Sequence, residues 1–262
     1  MLMIKRWLLS LLPAVMLVLP QTLSAATEGY QEVTTKRGAV QPFWLIESDN
    51  AAASVILFAG GKGKLKITAD GIKKKKNFLV RSRDRFAGHG FNVVVIDKPQ
   101  DKGSLEDFRT TQEHADDIQA VIEFLHSRYN KPVWLIGTSR GTISAANAAI
   151  RLQGKYVPAG VVLTASVMVS GNRPSLQDVE LDRITVPTLF VHNQSDQCHV
   201  SPYALVETFK AKLNKSRETA LQTYNSVDAQ HSNACKGMTP HGFLGIEDKV
   251  VAGIAEWIKQ RL

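Results

Sequence analysis

Ser139 stands in Gly137-Thr138-Ser139-Arg140-Gly141, a G-x-S-x-G pattern. A short apolar run at residues 133–136 precedes it, and a helix-compatible stretch of small residues at 142–150 follows, so the pentapeptide falls between a buried strand and a helix. In that context the glycines allow a turn tight enough to push the Ser139 hydroxyl out at the strand's end, which makes Ser139 a candidate nucleophile. The competing reading is a helix-start turn with Ser139 as its N-cap. A serine hydroxyl is a poor nucleophile at neutral pH, so catalysis needs a base in hydrogen-bond reach and a carboxylate to orient that base.

Such groups meet at the carboxyl ends of parallel strands, which directs the search to residues just past strands downstream of Ser139. Asp196 lies directly beyond the apolar run at 188–192. Asp182 and Asp228 are its rivals. The first precedes a strand, and the second follows a strand at 220–224 but reverses the usual placement of acid and base. For the base, His241 stands in Pro240-His241-Gly242-Phe243, leading into the last helix, while His231 lies in a polar stretch. His89, His192 and His199 are less well placed, with His192 as a strand-end neighbour of the site. His114 and His126 fall in the helical segment 108–129 with no second ligand at metal spacing, so neither a metal nor another cofactor is expected.

The elements that must position these groups alternate. Strands are expected at 32–35, 43–47, 54–59, 92–96, 133–136, 160–167, 188–192 and 220–224, and helices at 78–88, within 108–129, and at 142–150, 203–213 and 246–258. Strands alternating with helices imply a parallel sheet covered on both faces, in one α/β domain spanning 27–262. The interval 168–187 is too short for a large cap. After the strand at 54–59 comes Gly60-Gly61-Lys62-Gly63-Lys64, which matches neither a P-loop, since Leu65 replaces the required Ser or Thr, nor G-x-G-x-x-G, since Lys66 stands where the third glycine belongs. It reads better as a loop that aims a backbone N–H at an oxyanion. Lys73 to Lys76 read as a solvated surface run.

The N-terminus has the layout of a secretory signal: basic Lys5 and Arg6, an apolar stretch at 7–19, then Ser24-Ala25-Ala26. Cleavage is expected after Ala26, or after Ala25, giving an exported chain, periplasmic or secreted, without a membrane span; an uncleaved anchor is the competing reading. The formal net charge is +8, of which Lys5 and Arg6 supply two units. That excess favours anionic partners in general, but no zinc-finger spacing, recognition helix or aromatic and basic interleaving points to nucleic acid. The two cysteines, Cys198 and Cys235, are expected to bridge in an oxidising compartment, tying the Asp196 loop to the His241 loop; two free buried thiols are the alternative.

With Phe58-Ala59-Gly60-Gly61 after a central strand, Gly137 to Gly141 at the turn, Asp196 past a later strand and His241-Gly242-Phe243 before the last helix, the chain resembles the α/β-hydrolase superfamily. The resemblance spans essentially all of residues 27–262 and is narrower still to exported bacterial serine hydrolases. It implies a doubly wound, mostly parallel sheet with helices on both faces and no large cap domain. It also implies that Ser139 attacks a carboxylic ester or related acyl group, His241 carries the proton and Asp196 orients the imidazole. The oxyanion donors would be the N–H of Arg140 and one at Gly61 or Lys62; the loop lacks the His-Gly-Gly-Gly of lipases, which leaves the second donor open. An amidase or peptidase, or a non-catalytic binding protein on the same fold, are the rival functions. The expected partner is a small-molecule acyl substrate. Lys62, Lys64 and Arg140 favour an anionic one if they line the mouth of the site, against plain loop solvation or a structural pairing of Arg140.

Overall fold

The computed structural model describes residues 27–226 and 233–262. The leader expected over 1–26 and the rival residues Asp228 and His231 lie outside the described residues. Among the described residues no helix is long and apolar enough to cross a membrane.

The chain runs β1 (Glu28–Thr34), β2 (Val40–Ile46), β3 (Ala53–Phe58), a small hairpin of β4 (Ile67–Thr68) and β5 (Gly71–Ile72), α1 (Phe78–Arg81), α2 (Arg83–Gly88) and β6 (Phe91–Ile96). It continues with α3 (Gln112–Tyr129), β7 (Val133–Thr138), α4 (Gly141–Arg151), β8 (Gly160–Thr164), β9 (Thr188–Asn193), α5 (Val206–Ala211), β10 (Thr219–Tyr224) and α6 (Glu247–Lys259). Eight strands form one sheet in the order β1-β2-β6-β3-β7-β8-β9-β10. β1 and β2 are antiparallel to their neighbours, and every pairing from β6 to β10 is parallel.

A parallel strand covered on both faces must be apolar along its length. All residues of β3, β6, β7, β8 and β9 are buried. Alternate side chains feed two separate cores. Ile56, Phe58, Val133 and Leu135 pack with Ile118 and Val121 of α3 and Ile143 of α4. Val55, Leu57, Trp134 and Ile136 pack with Phe78 of α1, Phe86 of α2 and Val250, Val251 and Ile254 of α6. The sheet is thus doubly wound, as expected, and among the described residues no large cap covers it.

Several element boundaries differ from the expectation. The helix expected at 78–88 breaks at Ser82, a fully buried residue that ends α1. The strand expected at 160–167 ends at Thr164, because Ala165 turns to φ +41°. The helix expected at 203–213 is a 3-10 turn, Tyr203–Leu205, followed by the short α5. The β4–β5 hairpin is an element absent from the expected strands.

Candidate active site

Ser139 sits at the tip of the turn between β7 and α4 with φ +53°, a backbone region a non-glycine residue occupies only under constraint. Packing imposes the constraint. A Cβ on Gly137 would lie 2.5 Å from the Gly141 carbonyl oxygen, and one on Gly141 would lie 2.0 Å from that of Phe58, so the turn is pressed against β3 and against itself. The N-cap alternative is not realised: Arg140 occupies the cap of α4 without a side-chain bond, and Thr142 Oγ1 donates to the Ser139 carbonyl at 2.7 Å. The Ser139 hydroxyl is left unused by the helix.

Asp196 follows β9, and both its carboxylate oxygens are engaged. Oδ1 accepts the Cys198 N–H at 2.8 Å, and Oδ2 lies 2.8 Å from Nδ1 of His241. The pair is buried, with side chains 1% and 4% exposed. Nε2 of His241 is buried and has no hydrogen-bond partner among the described residues, and His241 lines the same cavity as Ser139 without being bonded to it. A general base often closes on its nucleophile only when substrate is bound. Cys198 and Cys235 are bridged, so the Asp196 loop is covalently tied to the loop before His241. Asp196, Cys198 and His241 also cluster closely enough for metal ligands, but the sulfur is committed to the disulfide and the other two groups to each other.

The His241 loop is held by several hydrogen bonds. His241 lies in a 3-10 turn, Pro240–Gly242, capped by Thr239, whose Oγ1 accepts the His241 N–H at 3.2 Å. Arg81 of α1 donates to the Gly237 and Lys76 carbonyls at 2.9 Å each and to the Gly242 carbonyl, and pairs with Glu247 at 2.9 Å. One guanidinium therefore ties the histidine turn to α1 and to the start of α6.

The glycine loop after β3 packs onto Ser139; a Cβ on Gly60 would lie 2.8 Å from Ser139 Cβ. Arg109, fully buried, donates to the Ala59 carbonyl at 3.0 Å, the Gly61 carbonyl at 3.3 Å and Ser144 Oγ at 2.6 Å. Burial, together with the charge of Arg140, lowers its pKa to about 9. The Leu105 N–H takes the Lys62 carbonyl at 2.9 Å. With their carbonyls pinned from behind, the N–H groups of Gly61 and Lys62, like that of Arg140, donate to no protein acceptor among the described residues. On the far side of the loop the Asp97 carboxylate, at the end of β6, accepts the N–H groups of Leu65 and Ile67 at 2.7 and 2.8 Å.

The other candidates fall away from this centre. Asp182 is on the surface, 3.5 Å from Lys215. His89 ends α2, and the exposed His199 lies 3.8 Å from Cys235 Sγ. His192 is buried beside the site, its Nε2 accepting the Ser166 N–H at 3.3 Å, and burial with the nearby His241 lowers its pKa to about 3. His114 is buried against Ser144 at 2.9 Å, and burial with the Arg109 and Arg37 charges lowers its pKa to about 3. Arg140 does not contribute its side chain to the mouth. It turns away, donating to the Pro174 carbonyl at 3.0 Å and to Ser170 Oγ at 3.3 Å.

Ser139 and His241 open into a cavity of about 570 Å³ bounded by the glycine loop, residues 73–78 and the segment 235–237. Arg109 and Arg81, which hold its walls, are invisible as site residues in the sequence; their partners lie up to 166 residues away.

No protein-family model matches the chain, and no curated protein matches it in sequence. Solved structures do. A cold-adapted esterase from an Arctic intertidal metagenomic library superposes with a TM-score of 0.62 at 16% identity, covering 90% of this chain and 94% of its own. A Pyrococcus furiosus esterase gives 0.66 at 14%, covering 90% and 91%. A Xanthomonas campestris α/β serine hydrolase described as lacking a lid gives 0.58 at 14%, covering 88% and 97%. Sheet order, the turn at Ser139 and these superpositions agree: the chain has the α/β-hydrolase fold.

Proposed function

We propose that the protein is a serine hydrolase that cleaves a carboxylic ester through Ser139, His241 and Asp196. The observation that carries the reading is the buried 2.8 Å contact from His241 to Asp196, with Nε2 of that histidine unpartnered among the described residues and the residue lining the same cavity as Ser139. Ser139 Oγ bonds to the ester carbonyl carbon while its proton passes to Nε2. The oxyanion meets the N–H of Arg140 and that of Gly61 or Lys62. The intermediate collapses, the C–O bond breaks, and the leaving alkoxide takes the proton from Nε2. Water, deprotonated by the same nitrogen, then releases the acid and restores Ser139. Asp196 holds the imidazole with Nδ1–H toward itself and stabilises the imidazolium.

The ester preference draws support from the neighbouring structures described as esterases. Hydrolysis of short-chain p-nitrophenyl esters, but not of the matching anilides, by the chain beginning at Thr27 and its loss in Ser139→Ala is the test. Equal ester hydrolysis by Ser139→Ala overturns the assignment, and faster anilide cleavage moves it to an amidase. We propose further that residues 1–26 are a cleaved leader and that the enzyme is exported; a mature N-terminus at Met1 on protein recovered from outside the cytoplasm would count against cleavage.

A further inference from the structure

The cavity that holds Ser139 and His241 is bordered by seven lysines, and among the described residues no carboxylate borders it. Lys62 and Lys64 come from the glycine loop, Lys73 to Lys76 from the segment after β5, and Lys236 from the cystine loop. All are exposed, and within this set only Lys62 has a carboxylate within 4.0 Å among the described residues, Glu106 at 3.9 Å. A lysine run in sequence is ordinarily a solvated face. Here two segments on either side of a small hairpin and a third far along the chain border the cavity of one nucleophile, and the fold fixes them there. The N–H groups of Lys73 and Lys74 donate to the Lys66 and Leu65 carbonyls at 3.4 and 3.1 Å. Arg81 bonds the Lys76 and Gly237 carbonyls at 2.9 Å each, so the second and third segments share one clamp. Holding like charges together costs free energy, which a bound anion offsets.

We infer that the ester cleaved at Ser139 carries, away from the scissile bond, a multiply charged anionic group such as a phosphate, and that these lysines seat it. The inference rests on the hydrolase reading and narrows its substrate class. It replaces the expected contribution of Arg140 with that of Lys73 to Lys76 and Lys236.

The test compares two acetate esters, 4-acetoxyphenyl phosphate and 4-methoxyphenyl acetate, as a ratio of kcat/KM. With Lys73, Lys74, Lys75 and Lys76 all changed to Gln, the ratio is expected to fall about tenfold or more, and high salt lowers it similarly in the parent chain. A control with Lys131, Lys155, Lys212 and Lys259 changed to Gln loses the same charge elsewhere and keeps the ratio within about twofold. A ratio that is insensitive to salt, or that falls equally in both variants, overturns the inference while leaving the hydrolase reading intact. If neither ester is cleaved, that reading fails by itself, and pyrophosphate titrated calorimetrically into the Ser139→Ala chain decides the anion site. Binding that is lost in the Lys73 to Lys76 variant supports it, and no binding at low salt overturns it.

Discussion

Replacing Cys198 and Cys235 together by alanine removes a bond that closes a separation of 37 residues. The chain-entropy treatment of a loop that size puts the loss at about 4 kcal/mol at 25 °C. For a domain of this length that corresponds to a fall in Tm of about 8 to 15 °C. The effect on chemistry is expected to be smaller, and the geometry says why. Asp196 Oδ1 is held by the main-chain N–H of Cys198, which alanine keeps, whereas the His241 loop loses its covalent tether and keeps hydrogen bonds with Thr239, Arg81 and Asn193. A fall in kcat of about tenfold with little change in KM is expected, as for a base whose orientation has loosened. Thermal unfolding, with steady-state kinetics well below the transition, reads both. A Tm within about 2 °C of the parent and an unchanged kcat would refute the reasoning, because the bond would then neither restrict the unfolded chain nor hold the base.

Asp196→Asn should lower kcat by about 10³ to 10⁴ on the best ester, because the amide no longer fixes the imidazole tautomer; a loss under tenfold would remove Asp196 from its role. Gly141→Ala places a methyl 2.0 Å from the Phe58 carbonyl oxygen, a backbone atom that cannot swing aside. It should cost at least about 1 to 3 kcal/mol in urea unfolding and displace Ser139, with activity falling in step. His114 and His192 are held neutral by burial, with pKa values near 3, while in the unfolded chain they protonate near 6.5. Below about pH 6.5 the unfolded state binds more protons, so stability falls as pH drops toward 3, with each ring contributing up to about 1.4 kcal/mol per pH unit. Urea midpoints between pH 7 and 4.5 check this, and a His192→Gln variant with as steep a decline as the parent would contradict it.

What the sequence makes legible here is local. The G-x-S-x-G spacing, the position of Asp196 just past β9 and that of His241 ahead of α6 are short-range patterns, and the continuous apolar runs of β3, β6 and β7 follow from burial on both sides. What it hides is long-range. Arg109 reaches Ala59 across 50 residues and Arg81 reaches Gly242 across 161, so no window of sequence shows that they brace the site. Arg140 sits inside the motif, yet its side chain answers to Pro174 and Ser170, on a segment with no regular periodicity. The break at Ser82 leaves no apolar-spacing signal, because Phe78 and Phe86 are both buried on either side of it. Lys73 to Lys76 look like any solvated run until the fold brings Lys62, Lys64 and Lys236 to the same cavity.

The most direct measurement is the labelling of the chain beginning at Thr27 with a fluorophosphonate, with the adduct located by peptide mass spectrometry. One adduct per chain is expected, on Ser139, absent in Ser139→Ala and formed about 10² times more slowly or worse in His241→Ala, since the hydroxyl then has no base. Ester hydrolysis without an adduct, or an adduct on another residue that tracks the activity, would contradict the central claim that Ser139 is the nucleophile of this fold.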